Sequence, residues 1–135
     1  MDSFEQITER IRDMLAGNEE FAGNNVVTLS FVPRTLPNPL RTLYTVVKPV
    51  KMTVEENTEE GSSYSKVVRY TVGISFHKAE RRDPSDLLTR FSIALEIFEA
   101  SNNFAVESAG FDSMKRDPDT NSIVLPGYIT LKMYY

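Results

Sequence analysis

The sequence predicts an α+β fold: a mostly antiparallel sheet with two helices packed on one face, in the order α-β-β-β-α-β-β. Several segments alternate apolar and polar residues, as half-buried strands do. Two other segments repeat apolar residues every three or four positions, as helices do. The connections between strands are short enough for antiparallel pairs. The length of 135 residues fits a single domain, residues 1–135.

The first predicted element is an amphipathic helix over residues 3–16. Ser3 with Gln6 fits a capping box at its start, and Gly17 supplies its end. A strand from Val26 to Val32 follows. The apolar face of the helix consists of Phe4, Ile7, Ile11, Met14 and Leu15.

A stiff connector is expected next, at residues 33–40, because its three prolines remove backbone donors and fix φ. We call this segment the Pro-rich arm, and it is a candidate surface arm. A long strand from Leu43 to Glu55 follows it. Pro49 interrupts that strand, which indicates an edge strand or a bulge. The alternating residues of the strand are Tyr44, Val46, Val50, Met52 and Val54.

An acidic loop at residues 55–65 is expected to be solvated and mobile. The clearest strand follows it, from Lys66 to Lys78. Alternate side chains point to opposite faces of a strand, so one face is a core wall and the other is wet or meets a polar partner. The core face carries Val68, Tyr70, Val72, Ile74 and Phe76. The opposite face carries Arg69, Thr71, Gly73, Ser75 and His77.

The second helix is predicted from Asp83 to Glu99, with Asp83 as the cap and Pro84 at the first helical position. Ile93 and Ile97 lie off its inward stripe and widen the apolar arc beyond what one sheet face covers. The inward stripe consists of Leu87, Phe91, Ala94, Leu95 and Phe98.

A final hairpin is predicted from two strands, Phe104 to Phe111 and Ile123 to Tyr135. Residues 116–121 supply the polar turn between them. One face of the last strand is apolar and carries Ile123, Leu125, Ile129, Leu131 and Met133.

The composition excludes several functional classes. Nineteen acidic and fifteen basic residues give a net charge of −4, so the chain lacks the broad positive field that non-specific nucleic-acid binding needs. No sequence-specific nucleic-acid partner is expected either. The absence of cysteine excludes disulfides, thiolate metal sites and thiol catalysis. No signal peptide or membrane-spanning stretch is expected, so the prediction is an intracellular globular domain without membrane partners.

Candidate reactive groups are sparse. His77 is the single histidine, and without a second histidine or a cysteine it is interpreted as a surface or interface residue rather than a metal ligand or catalyst. The glutamates of the acidic loop lack the spacing of a calcium loop and indicate a solvated turn. No cofactor, metal site or catalytic residue is therefore expected, and an enzyme using His77 is the least favoured alternative.

The features that exceed a plain globular domain point to an interface with other proteins. Exposed apolar residues of this kind commonly mark a protein partner. They lie on the second helix and at the aromatic chain end. The Pro-rich arm, the polar face of the strand and a basic cluster supply the remaining candidates. The candidate interface residues are Pro37, Pro39, Arg69, His77, Arg81, Arg82, Ile93, Ile97, Tyr134 and Tyr135.

Three segments give the chain its resemblance to a known family. They are Leu36-Pro37-Asn38-Pro39-Leu40 before a long strand, Tyr70-Thr71-Val72-Gly73-Ile74-Ser75-Phe76 before the capped helix, and the closing Pro126-Gly127-Tyr128-Ile129-Thr130-Leu131. In this order the chain resembles the tail terminator, or tail completion, proteins of long-tailed bacteriophages and defective prophages. The resemblance is one of pattern over nearly the whole chain.

The resemblance implies a non-enzymatic virion subunit without cofactors. Such proteins form a hexameric ring that ends the tail tube and joins it to the head. The implied partners are copies of the chain itself, the tail tube protein and a head-completion or connector protein. The implied location is the virion tail, or the bacterial host cytoplasm during assembly. The alternative from the residues alone is a small interaction module that binds a peptide at a sheet edge.

Overall fold

The computed structural model describes residues 3–21, 26–28, 43–79, 85–118 and 122–135. The chain has the predicted α+β fold, with one short strand added to the predicted order. A single 3-10 turn, Glu19–Phe21, follows the first helix. The elements are α1 (Phe4–Ala16), β1 (Val26–Thr28), β2 (Tyr44–Glu56), β3 (Lys66–Ala79), α2 (Ser85–Glu99), β4 (Ala105–Phe111), β5 (Lys115–Asp117) and β6 (Ser122–Tyr134).

The strands form one sheet in the order β1-β2-β3-β6-β4, and β5 pairs with β6 in addition. Strand β1 runs parallel to β2, and every other pair is antiparallel. The predicted mostly antiparallel sheet is therefore confirmed. Strands β3 and β6 pair along thirteen consecutive residues, from Val67 opposite Tyr134 to Ala79 opposite Ser122. This long pair is the centre of the sheet.

Both helices pack on the same face of the sheet, as predicted. The predicted core face of β3 is buried completely and consists of Val68, Tyr70, Val72, Ile74 and Phe76. Helix α1 covers it through Phe4, whose ring lies edge-on to Tyr70 at 4.8 Å. Helix α2 covers it through Phe91, which approaches Gly127 of β6 opposite Ile74. The apolar area removed from water between these layers is the main stabilising term.

The start of α1 confirms the predicted capping box. Ser3 Oγ accepts a hydrogen bond from the Gln6 backbone N–H at 3.1 Å, and the Ser3 N–H donates to Gln6 Oε1 at 2.8 Å. These two bonds satisfy donors that the first helical turn leaves unpaired. Removing such a cap typically costs about 1 kcal/mol.

The bulge predicted at Pro49 is confirmed, and the alternative of an edge strand is wrong, because β2 pairs with both β1 and β3. The single alternation predicted along β2 therefore does not continue past Pro49. Pro49 pairs with Val72 and Lys51 pairs with Thr71, so Val50 has no partner in β3. Before the bulge odd-numbered residues face the helices, and after it even-numbered residues do. The predicted set therefore divides between the two faces: Tyr44, Val46 and Val50 on the open face, Met52 and Val54 on the helix face.

Two further boundaries differ from the prediction. Strand β5, Lys115–Asp117, extends into the segment predicted as a turn, because its three residues pair with β6. Strand β2 continues to Glu56, so Glu55 and Glu56 belong to a strand, and the acidic loop covers residues 57–65. The Asp83-Pro84 start of the second helix and residues 29–42, with the Pro-rich arm, lie outside the described residues.

Candidate functional site

The candidate site is the open face of the sheet, on the side opposite the helices. On β3 it carries the five predicted polar-face residues, Arg69 to His77 at alternate positions, and all of them are half-buried. On β6 it carries Tyr128, Thr130 and Lys132 beside them. A hydrogen bond between the hydroxyls of Thr71 and Thr130, 2.9 Å long, joins the two strands. The sequence predicts that this face is exposed to water or contacts a polar partner. In the structure it is only partly exposed to water.

Arg69 is the most highly connected charge on the open face. Its Nε lies 2.9 Å from Glu107 Oε2, and its Nη1 lies 3.0 Å from Glu55 Oε2. The hydrogen bond and charge of Glu107, followed by those of Glu55, raise the pKa of the Arg69 guanidinium. The three residues come from β4, β3 and β2, so they tie the sheet together across its width. A partner protein that contacted Arg69 would therefore meet a guanidinium whose charge is already balanced by Glu55 and Glu107.

His77 lies at the other end of the same face. Its Nε2 is 2.9 Å from the Ser75 hydroxyl, and its buried Nδ1 has no hydrogen-bond partner among the described residues. Burial lowers the pKa of the imidazole, and the charge of Asp117 opposes this in part. The ring is consequently neutral near pH 7 and is more enclosed than a surface histidine. No group of three or more His, Cys, Asp or Glu suited to a metal ion occurs in the described ranges.

A pocket at the far end of the open face brings two tyrosines together. Its volume is about 300 Å³. The rings of Tyr64 and Tyr134 lie 5.8 Å apart with an interplanar angle of 38°, and the Lys132 amine lies 5.3 Å from the Tyr134 ring centre. We call this the tyrosine pocket. It is lined by Tyr64, Asn102, Asn103, Phe104, Ala105, Lys132, Met133 and Tyr134.

Tyr135, the other aromatic at the predicted interface, continues the β3–β6 ladder. Its N–H donates to the Lys66 carbonyl at 3.0 Å, and its own carbonyl accepts from the N–H groups of Ser65 and Lys66. The half-buried side chain packs against the core. Tyr135 therefore supports the pocket rather than lining it.

The two isoleucines predicted to be stranded on the second helix are half-buried. Ile93 and Ile97 both pack against the hydrophobic core cluster. The remaining predicted interface residues lie outside the described residues: Pro37, Pro39, Arg81 and Arg82. The third member of the predicted basic cluster, Lys78, forms an ion pair of 2.7 Å with Asp86 of α2.

Exposed apolar side chains on the open face and near the sheet edge were not singled out from the sequence. Tyr128, 43 % exposed, lies beside Gly110 of β4 on the open face. Phe111 at the end of β4 is half-exposed, and its ring contacts Phe91 at 5.3 Å. Alternation in the last strand contained the signal for Tyr128, since it occupies the face opposite Ile129 and Leu131. Nothing in the sequence indicated that β4 would be so exposed.

Strand β4 is an exposed edge of the sheet. Within the described part of the chain it pairs with β6 alone, and Ala105, Glu107, Ser108 and Phe111 are exposed. Such an edge presents unpaired backbone groups that can take up another strand. No helix in the described residues is long and apolar enough to span a membrane.

Comparison with known proteins yields a structural match. No protein-family model matches the sequence, and no curated protein matches it. Among solved structures, a chain from the virion of a native gene transfer agent particle has a similar fold, with a TM-score of 0.53 at 13% sequence identity. The match covers 93% of this chain and 92% of that chain. At this identity the match shows a shared fold.

Proposed function

We propose that the protein is a non-enzymatic structural subunit of a phage-like virion, of the tail terminator type. In this role it forms a homo-oligomeric ring that ends the tail tube and joins it to the head. Its partners are further copies of itself, the tail tube protein and a head-completion or connector protein. The protein acts in the virion tail, after assembly in the bacterial host cytoplasm.

The observation that carries this proposal is the fold shared with a virion chain over nearly the full length of both chains. The resemblance of the sequence to tail terminators supports the same role independently of that match. The described surface adds a half-buried open face, an exposed sheet edge and an aromatic pocket. These are features through which subunits pack.

A peptide-binding module is the second candidate function. The exposed edge of β4 favours it, because an extended peptide can add a strand to such an edge. Deleting residues 33–39 distinguishes the two functions. A ring subunit should lose contacts between subunits, whereas a peptide-binding module should change its peptide capture and remain a monomer.

The oligomeric state tests the proposed function. Native mass spectrometry and negative-stain microscopy across a concentration series should reveal a closed ring, alone or on the ends of purified tail tubes. A protein that stays monomeric at high concentration and adds no ring to tail tubes would contradict the proposal.

A further inference from the structure

We propose that the tyrosine pocket binds the Pro-rich arm, residues 33–40, of a second copy of this chain. The inference rests on the proposed function, since it identifies the contact through which the subunits of the ring join.

The pocket offers aromatic faces and free hydrogen-bond donors side by side. Tyr64 is 52 % exposed and forms one wall with Tyr134. The side-chain amides of Asn102 and Asn103 form no hydrogen bond within the described part of the chain. The Lys132 amine bonds to Tyr134 and keeps further N–H donors. Grooves of this type, aromatic with a few polar groups, bind proline-rich extended segments.

The Pro-rich arm has the matching chemistry. Its sequence, Pro-Arg-Thr-Leu-Pro-Asn-Pro-Leu, fixes φ at three of eight positions and so favours an extended, polyproline-like conformation. That conformation has three residues per turn, so Pro37 and Leu40 share one edge. Peptides in that conformation make no internal hydrogen bonds, so a bound arm would offer its carbonyl groups to Lys132 or the asparagine amides. Little conformational entropy is lost when such a segment binds.

The segment that contains the arm is basic and the loop before Tyr64 is acidic, while the lining of the pocket itself carries one charge, that of Lys132. The segment from residue 29 to residue 42 contains Arg34 and Arg41 and no acidic residue. The loop that leads to Tyr64, residues 57–65, contains Glu59 and Glu60 and no basic residue. The two carboxylates form no ion pair with any described residue. Opposite charges on two chains steer their encounter at low ionic strength even where they do not touch in the complex.

The reach of the chain places the bound arm in another subunit. Strand β2 starts at Tyr44, opposite His77, and Tyr134 of the pocket lies level with Glu55, across Val67. Ten residues of β3, from Val67 to His77, separate these levels, about 33 Å. Pro37 precedes Leu43 by six residues, which span at most about 22 Å. Pro37 and Pro39 therefore cannot enter the pocket of their own chain.

A contact between opposite ends of two subunits is heterologous. Heterologous contacts repeat from one subunit to the next and produce a closed ring when the rotation between neighbours closes. The arm and the pocket thus provide the two complementary halves of one repeated interface.

A labelled synthetic peptide of residues 33–40 tests the contact directly. The acceptor is the full chain carrying Pro37→Ala and Pro39→Ala, so that the protein's own arm does not compete, and binding is measured by fluorescence anisotropy. We expect saturable binding that Tyr64→Ser weakens about tenfold, because one aromatic contact is lost. Tyr128→Ser, an exposed tyrosine on the same face outside the pocket, should leave the affinity unchanged.

A second pocket variant guards against misfolding of the first. Ala105 lines the pocket from the exposed start of β4, so Ala105→Trp fills the cavity without entering the core. It should abolish peptide binding while circular dichroism and the thermal midpoint stay near those of the wild type. A peptide that fails to bind, or that binds the Tyr64→Ser and Ala105→Trp proteins as it binds the parent, overturns the inference.

Mixing two defective proteins shows whether the contact builds the ring. The arm variant retains its pocket and the Ala105→Trp variant retains its arm, so each alone should be monomeric and the mixture should give one-to-one dimers. Rings formed by a wild-type protein whose pocket does not bind the peptide would refute the inference and leave the proposed function standing. Peptide binding by a wild-type protein that never forms rings would refute the proposed function and leave the pocket contact standing.

Discussion

At the scale of single residues, Tyr70 has the most unusual environment in the core. Its side chain is completely buried in β3 between the sheet and α1, and its hydroxyl forms a hydrogen bond with Thr8 Oγ1. Burial raises the pKa of Tyr70 to about 12, and the bond to Thr8 opposes this. A tyrosine left unpaired here would cost about 1–3 kcal/mol, so the pairing with Thr8 ties α1 to the sheet.

Tyr70→Phe should have opposite effects on stability at neutral and at alkaline pH. Below pH 10 the variant loses about 1 kcal/mol, because the Thr8 partner is gone. Tyr70 ionises in the unfolded chain near pH 10 and in the folded protein near pH 12, so the wild type loses stability between these values. Urea unfolding at about pH 8 and pH 11.5 should reverse the order of the two proteins.

Tyr128→Phe is the matched control, since Tyr128 is exposed on the open face. Its unfolding free energy should follow that of the wild type at both pH values. A Tyr70→Phe protein that loses stability at alkaline pH as steeply as the wild type would contradict the assignment to Tyr70.

His77 should lower the free energy of unfolding as the pH falls below neutrality. Its pKa is lowered below the ordinary value of 6.5 in the folded protein, because burial disfavours the charged ring. The unfolded chain therefore binds the proton first. The contribution of neutral His77 to the free energy of unfolding is fully present above about pH 6.5. It is lost as the pH falls toward the lower pKa of His77 in the folded protein.

The substitution His77→Gln keeps a polar partner for Ser75 and removes the titrating group. The unfolding free energy of the wild type should fall more between about pH 7.5 and pH 5.5 than that of the variant. The two proteins have the same carboxylates, so the difference between their slopes reports the imidazole together with its interaction with Asp117. Equal slopes would show that the imidazole does not titrate with unfolding.

At the scale of elements, Gly127 sets how closely α2 packs on β6. A Cβ atom at this position would lie 2.7 Å from Phe91 Cε2 and 2.9 Å from the Ile74 carbonyl oxygen. One neighbour is a buried ring and the other is backbone, so neither can move freely. The glycine is required by this close approach.

Gly127→Ala should therefore lower the thermal midpoint, with a cost of about 1–3 kcal/mol from overpacking. Gly110→Ala is the matched control, because its Cβ would meet the Tyr128 hydroxyl, 2.7 Å away at the exposed end of a side chain that can turn aside. Combining Gly127→Ala with Phe91→Leu should restore part of the loss. An equal effect of the two alanine substitutions would contradict the packing argument.

Elements with an uninterrupted pattern could be predicted from the sequence. Strand β3 alternates over its whole length, and its five predicted core residues are all buried. Apolar and polar residues also alternate in the sequence of β2. The bulge after Pro49 nevertheless reverses which residues of this strand face the helices. A bulge is visible in the sequence only as a proline, and its effect on register depends on the partner strand. Strand β5 was missed because three residues are too few to show a period.

At the scale of the whole molecule, the fold was predictable and the site was only partly so. The sheet, its two helices and the polar face of β3 followed from periodicity. The tyrosine pocket could not be predicted from periodicity. It is formed by the acidic loop, the end of α2 and strand β6, and these segments are far apart in sequence. The sequence indicates Tyr134 as an exposed terminal aromatic, whereas the structure pairs it with Tyr64. Proximity of this kind depends on register, which sequence patterns do not specify.

The bulge in β2 also determines where the chain can change length. Val50 has no partner across the sheet, while Pro49 and Lys51 pair with the adjacent residues Val72 and Thr71. A deletion of Val50 would leave every other pair between β2 and β3 in place. A deletion elsewhere in the strand would shift its register by one residue and turn apolar side chains to the wrong face. Val50 is thus the position in β2 where evolution or an engineer can remove a residue and keep the same sheet.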